Sequence, residues 1–133
     1  MSPEQMMKKI EIKSERDIVK VRNAVYKVSE NIGLSQFNRT KVATAASELA
    51  RNIIEYAGKG NMMIVPLTQG KKGVQIIARD DGPGIDNVEE ILKGNYQSES
   101  GMGMGLIGAK RLSDEFKIKT GSEGTSVFLT KHL

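Results

Sequence analysis

Three short stretches of this 133-residue chain carry residues whose types and spacing could do chemistry. The first is Glu48-Leu49-Ala50-Arg51-Asn52. Glu48 and Asn52 are four positions apart, so on a helix their side chains point the same way, one turn from each other. An amide oxygen can ligate magnesium, which takes hard oxygen ligands and keeps much of its water. A neighbouring carboxylate can accept or orient a proton. On a solvated helix face the same two residues would be only a hydrogen-bonding pair. The second stretch is Asp80-Asp81-Gly82-Pro83-Gly84-Ile85, directly after a β-like run. Its glycines permit close backbone approach, and an Asp at a strand end can accept a hydrogen bond from an amino group such as that of adenine. Asp, Gly and Pro are equally the residues of a plain tight turn.

The third stretch, Ser100-Gly101-Met102-Gly103-Met104-Gly105-Leu106-Ile107-Gly108, leads into a helix expected at about Leu106–Ser113. Alternating glycines ahead of a helix N-terminus would expose backbone N–H groups where the helix dipole already favours phosphate. A linker is the bland alternative, and the apolar helix that follows speaks against it. The Gly-Lys-Ser/Thr ending of a Walker A loop is absent, and so is the βαβ context of a dinucleotide fold. A magnesium-type pair, an Asp-Gly-x-Gly turn and a phosphate-type loop in succession make coincidence the weaker reading.

The elements that must position these residues follow from periodicity. Ile10 and Ile12 share one face of a short strand near Lys8–Lys13. Ser14 can cap a helix, with Asp17 completing a loose capping box. Ile18, Val21, Val25, Val28 and Ile32 form one helical stripe, and Gly33 supplies a stop. Ser35 can cap a second helix running to about Ala57, with Val42, Ala46, Leu49 and Ile53 facing the core. Two β-like runs, Met62–Leu67 and Val74–Arg79, then form a hairpin. A polar, glycine-rich stretch from Asp80 to Gly105 has room for a short helix near Val88–Leu92. A final hairpin is expected from Phe116–Thr120 and Thr125–Lys131. Strands do not alternate singly with helices, so the expectation is an α+β two-layer sandwich, with helices on one face of a mixed, largely antiparallel sheet. One domain over residues 1–133 accounts for the whole chain.

Bulk properties narrow the function further. Net charge is +4, from 20 basic and 16 acidic residues that are intermingled, and aromatic residues make up only 5%. A nucleic-acid surface would need a basic patch with stacking platforms, so that role is not expected. No apolar run approaches a membrane span, there is no secretory leader, and cysteine is absent. A cytoplasmic protein is the expectation.

On these motifs the chain resembles the GHKL superfamily of ATP-binding domains, over nearly its whole length. Glu48 to Asn52 is similar to the superfamily's N box, Asp80 to Gly84 to its Asp-x-Gly-x-Gly box, and Gly101 to Gly105 to its last glycine box. Thr125 after Gly124 matches the Gly-Thr of a late strand. Within the superfamily, Ser47 to Ile53, Tyr56 to Gly60, Lys110-Arg111-Leu112 and Asp114-Glu115-Phe116 resemble the anti-sigma-factor serine kinases of bacterial stress-response partner switching.

The resemblance implies the Bergerat-type fold, with ATP and Mg2+ as cofactors. It implies that Asn52 ligates magnesium and that Glu48 is catalytic, orienting or deprotonating an acceptor hydroxyl. Asp80 would bind the adenine amino group with support from Thr125, and Gly82 and Gly84 would shape the adenine pocket. Gly101, Gly103, Gly105 and Leu106 would bind the nucleotide at its phosphate end, and residues from about Ile85 to Ser100 would cover it. Arg51, Lys59, Lys93 and Lys110 are cations that could reach the γ-phosphate. The implied acceptor is a STAS-domain protein phosphorylated on serine or threonine, with a PP2C-type phosphatase as a second partner. The alternative is a binding module, an anti-sigma factor or phosphatase activator that uses ATP without phosphorylating its partner. A detached histidine-kinase domain fits poorly, because the only histidine is His132.

Overall fold

The computed structural model describes residues 7–86, 88–93 and 102–133. Strand β1 (Lys8–Ile12) is followed by helices α1 (Glu15–Ile32) and α2 (Gln36–Ala57), then strands β2 (Gly60–Leu67) and β3 (Gly73–Asp80). Helices α3 (Val88–Leu92) and α4 (Met102–Arg111) come next, and the chain ends on the hairpin β4 (Glu115–Gly121) and β5 (Gly124–His132).

Helix α1 starts where the capping signal says it should. Asp17 Oδ2 accepts the backbone N–H of Lys13 at 2.9 Å and of Ser14 at 3.0 Å, satisfying donors that the helix itself cannot. The stop is Gly33 in the left-handed region at φ 97, and the N–H of Leu34 closes the turn on Ser29 O at 3.0 Å. Ser35 Oγ then accepts from Asn38 N–H at 3.1 Å and opens α2. The expected stripes are buried: Ile18, Val21, Val25 and Val28 on α1, and Val42, Ala46, Leu49 and Ile53 on α2.

The sheet has the order β1-β2-β3-β5-β4. Its helix-facing side carries Met62, Ile64, Val74, Ile76, Ala78, Val127 and Leu129, all buried. All four pairings are antiparallel, so the α+β sandwich is as expected and its largely antiparallel sheet is antiparallel throughout. The reason lies in the connections. Two antiparallel helices bring the chain back to the end of the sheet where β1 finished, so β2 must run against β1. Strands β3 and β4 do run parallel, but β5 lies between them. The chain leaves β3, returns as the edge strand β4, and folds back as β5 into the slot beside β3.

Helix α4 begins four residues earlier than expected, at Met102, so Gly103 and Gly105 are helical and do not form a loop ahead of the helix. Each interior glycine costs a helix about 1 kcal/mol relative to alanine, and methionine, a good helix former, alternates with them here. Packing of α4 against α2 offsets the poor local propensity.

Two carboxylates anchor the fold electrostatically. Backbone N–H groups, that of Lys13 foremost, hold the Asp17 carboxyl below its ordinary value of 3.8. The Asp114 carboxyl is lowered first by the His132 N–H at 2.7 Å and further by the Lys131 ammonium at 3.2 Å. A depressed folded value means the contribution is complete above 3.8 and is lost as pH falls through the lower, folded values. Urea titrations from pH 7 down to pH ~2 should therefore show the double variant Asp17→Asn/Asp114→Asn less stable than wild type at neutral pH. The gap should close below pH ~4; a gap that stayed constant to the lowest pH would contradict this assignment.

Candidate functional site

The β3–β5 register brings together two of the residues singled out in the sequence. Asp80, the last residue of β3, is the cross-strand partner of Thr125. Thr125 in turn stands opposite Thr120 of β4, and their hydroxyl oxygens are 2.8 Å apart in a shared hydrogen bond. Thr120 Oγ1 also accepts the backbone N–H of Ile85 at 2.8 Å. Asp80, Thr125, Thr120 and the start of the segment after β3 are thus tied into one end of the sheet. Thr120 was not singled out in the sequence. Its signal was present, since it is the hairpin residue that must face Thr125 across a Gly-Ser-Glu-Gly turn.

The Asp-x-Gly-x-Gly segment folds as a turn shaped around Asp80. Asp80 Oδ1 accepts the N–H of Gly82 at 2.9 Å. A carboxylate offers about four acceptor positions, so one such bond leaves it able to receive an amino group. Gly84 adopts φ 89, and a Cβ there would run into the Gly121 carbonyl of the β4–β5 hairpin. Of the two readings open from sequence, the turn is observed, and it holds Asp80 at its start.

Asp80 and Thr125 also line a cavity between α2 and the sheet. Its α2 wall is Leu49, Asn52, Ile53 and Tyr56. Ala78 and Val127 form its sheet side, and Ile85 and Leu106 close it. The lining is apolar, with Asp80, Thr125 and Asn52 as convergent polar groups, the composition expected for holding a flat heterocycle in a fixed orientation.

At the other end of the cavity α4 crosses α2. A Cβ built on Gly105 would stand 3.1 Å from Glu48 Oε2 and 3.3 Å from Asn52 Oδ1. The Glu48 and Asn52 side chains and the helix carrying the glycines therefore meet at one point. The Asn52 Nδ2 group is buried without a hydrogen-bond partner. Such a group in a cavity wall can take an acceptor from water or from a ligand. Among the described residues no group of three or more His, Cys, Asp or Glu could hold a metal ion. A magnesium ion arriving with phosphates needs no such cage, since it keeps its waters and takes one or two protein ligands. Asn52 fits that demand, with Oδ1 for the ion and Nδ2 for a phosphate oxygen.

Other expectations resolve differently. Gly101 and the segment 94–100 lie outside the described residues, so that part of the phosphate loop and cover has no structural account. Gly103 lies in α4, and Leu106 is buried in the cavity wall. Of the four cations considered for the γ-phosphate, Arg51 is engaged by Glu48, with NH1 3.0 Å from Oε1. Lys59 lies in a different cleft with Glu11 and Asp81, and Lys93 and Lys110 are exposed. His132 is held at both ring nitrogens, Nε2 to Glu115 at 2.6 Å and Nδ1 to the Lys72 carbonyl at 3.4 Å. That environment does not suit a phosphoacceptor. Among the described residues no helix is long and apolar enough to cross a membrane.

This fold and site place the chain in a known class: it belongs to the histidine kinase-like ATPase domain family, whose model matches residues 12–131. Among curated proteins it is 40% identical over 126 residues to the serine/threonine-protein kinase RsbT of Bacillus subtilis, covering 93% of this chain and 95% of that one. It is 32% identical over 102 residues to the anti-sigma F factor of Priestia megaterium, covering 71% and 69%. Among solved structures it resembles the histidine kinase domain of the blue-light activated histidine kinase EL346 of Erythrobacter litoralis. The TM-score there is 0.55 at 15% identity, over 88% of this chain and 63% of that one. At that identity the likeness is one of fold.

The α2–α4 contact yields a prediction that separates stability from binding. Gly105→Ala adds a methyl that favours the helix by about 0.5–1 kcal/mol but displaces Glu48 and Asn52 from the shared point. Thermal melting should show stability unchanged or raised. Titration with a fluorescent ATP analogue should show affinity lowered by about tenfold, as expected of a misplaced phosphate-end contact. Unaltered affinity would detach Gly105 from the site.

Proposed function

We propose that this chain is a serine/threonine protein kinase of a partner-switching pathway, transferring the γ-phosphate of ATP to a STAS-domain protein. The observation that carries this reading is the convergence of Glu48, Asn52 and Gly105 at the α2–α4 contact, beside a cavity with Asp80 and Thr125 at its far end. The likeness to a serine/threonine-protein kinase over almost the full length of both chains supports it.

The adenine ring lies in the apolar cavity, its amino group donating to Asp80, while Thr125 holds a bridging water. Gly82 and Gly84 keep the backbone beside the ring free of side chains. The phosphates extend toward α4, where Asn52 Nδ2 donates to a phosphate oxygen and the backbone of the glycine-rich segment around Gly101, Gly103 and Gly105 supplies further donors. Asn52 Oδ1 would hold a magnesium ion arriving with the phosphates, and the ion would supply charge neutralisation at the transferring group. The acceptor serine or threonine hydroxyl attacks the γ-phosphorus, its bond to the β–γ bridging oxygen breaks, and ADP leaves. Glu48 Oε2, facing that region, orients the hydroxyl or takes its proton. Acceleration comes mainly from alignment and charge neutralisation. Released from its acceptor, the protein binds a PP2C-type phosphatase.

A second reading rests on the anti-sigma F factor likeness: a module whose ATP-dependent contacts matter more than transfer. The Glu48 carboxylate at the α4 contact favours the kinase, since a binding module has no use for a proton acceptor there.

Two variants and one assay test the proposal. The assay is transfer from γ-labelled ATP with magnesium into proteins of a lysate of the source organism. Asp80→Asn keeps an oxygen for the Gly82 N–H but presents an amide in place of the carboxylate. It should stay folded and lose nucleotide binding. Glu48→Ala should bind ATP normally while acid-stable labelling of a small acceptor falls at least a hundredfold. Normal labelling by Glu48→Ala would remove its role, and intact ATP binding by Asp80→Asn would remove the adenine contact. ATP binding with no label from the wild type would favour the binding module.

A further inference from the structure

Arg51 is the one member of the Glu48–Asn52 segment with a charge and no part in the mechanism so far. It lies on the same helix as Glu48, three residues on, and its NH1 donates to Glu48 Oε1 at 3.0 Å. The two carboxylate oxygens are therefore distinct. Oε1 is bound by the guanidinium, whereas Oε2 stands 3.1 Å from the Cβ position of Gly105, at the point shared with Asn52. Stability does not explain the pair. Both side chains are substantially exposed, 47% for Arg51 and 32% for Glu48, and an exposed helix pair of this spacing contributes only about 0.3–0.5 kcal/mol. Orientation does explain it. A glutamate has three rotatable torsions, and one half-exposed at a cleft would spend much of its time turned to water. A guanidinium is planar, always charged and rigid in its donor directions. Gripping Oε1 leaves the carboxylate few orientations, and in the one observed Oε2 lies against Gly105 of α4, beside Asn52.

We propose that Arg51 is a positioning residue that holds Glu48 with Oε2 toward the acceptor hydroxyl. This rests on the kinase reading above. Arg51 then acts on the transfer step through Glu48 and has no direct part in binding ATP. Its removal lowers turnover without changing nucleotide affinity, and the loss disappears once Glu48 is gone.

The test is a double-mutant cycle in the γ-label assay, using the same lysate as acceptor source. It compares wild type, Arg51→Ala, Arg51→Lys, Glu48→Ala and Arg51→Ala/Glu48→Ala, with long incubations for the slow variants and ATP affinity measured in parallel. The proposal expects Arg51→Ala to label about tenfold more slowly with ATP affinity within about twofold of wild type. Arg51→Lys should recover part of the rate, and the double variant should be no slower than Glu48→Ala alone. Wild-type rates from Arg51→Ala would overturn it, as would a fall in ATP affinity that accounts for the loss. So would the same tenfold loss repeated on the Glu48→Ala background, because Arg51 would then act on nucleotide or partner directly. Full labelling by Glu48→Ala would remove the role of Glu48, none by wild type would overturn the kinase reading itself, and this inference falls with either. These results separate the two failures, because they are read in lanes that do not contain an Arg51 variant.

Discussion

The β3–β5 register sets Asp80 against Thr125, and the rest of the site is built outward from that pair. Side chains alternate faces along a strand, so a slip of one residue in either strand would turn its member of the pair toward the face away from the helices. The register is protected by burial on the helix side, where Ala78, Ile76, Val127 and Leu129 alternate inward. It is protected at the open end by the Thr125–Thr120 hydroxyl bond and the Ile85 N–H that closes on it. The same interactions that fix a strand pairing therefore fix the polar end of a cavity, and the Asp-x-Gly-x-Gly turn has to leave the sheet within a few residues of its anchor.

The second constraint is how closely α2 approaches its neighbours. Its buried face is rich in alanine, with Ala43, Ala45, Ala46 and Ala50 all buried. Small side chains there bring the helix axis down onto the sheet and let α4 come near enough for Gly105 to sit against Glu48 and Asn52. A methyl at 105 would meet the ends of the Glu48 and Asn52 side chains, which would have to give by a few tenths of an ångström. Glycine at this place therefore leaves those two side chains where they are, and α4 is helical because α2 supports it.

Much of this was legible in the sequence because it is local. The Ser14/Asp17 and Ser35 starts, the Gly33 stop and the stripes of α1 and α2 depend on residues within a turn or two of each other. So does the α3 span at Val88–Leu92. What was not legible depends on partners distant in sequence. The start of α4 was missed because alternating glycines read as a loop wherever propensity alone decides. That the pairing is antiparallel throughout could not be read because β5 enters between two strands that precede it, and no periodicity reports where a strand inserts. Thr120 carried a hairpin signal, but its bond to the Ile85 N–H spans 35 positions. Motif spacing, by contrast, correctly put Glu48 beside Asn52, since four residues on a helix are one turn whatever the fold around them.

The two ends of the cavity differ in how completely they are built. At the Asp80 end the turn N–H, the threonine hydroxyls and the cross-strand ladder already have partners within the protein. At the Asn52 end a buried amide donor has none. A ligand that spans both ends gains different things at each. Orientation is supplied in advance at the first, so little ordering is needed there. At the second, a ligand's acceptor would satisfy the Asn52 amide. The unsatisfied polar group stands next to Glu48, at the point where α4 meets α2, so the least complete part of the cavity is also the part where two helices bring polar side chains together.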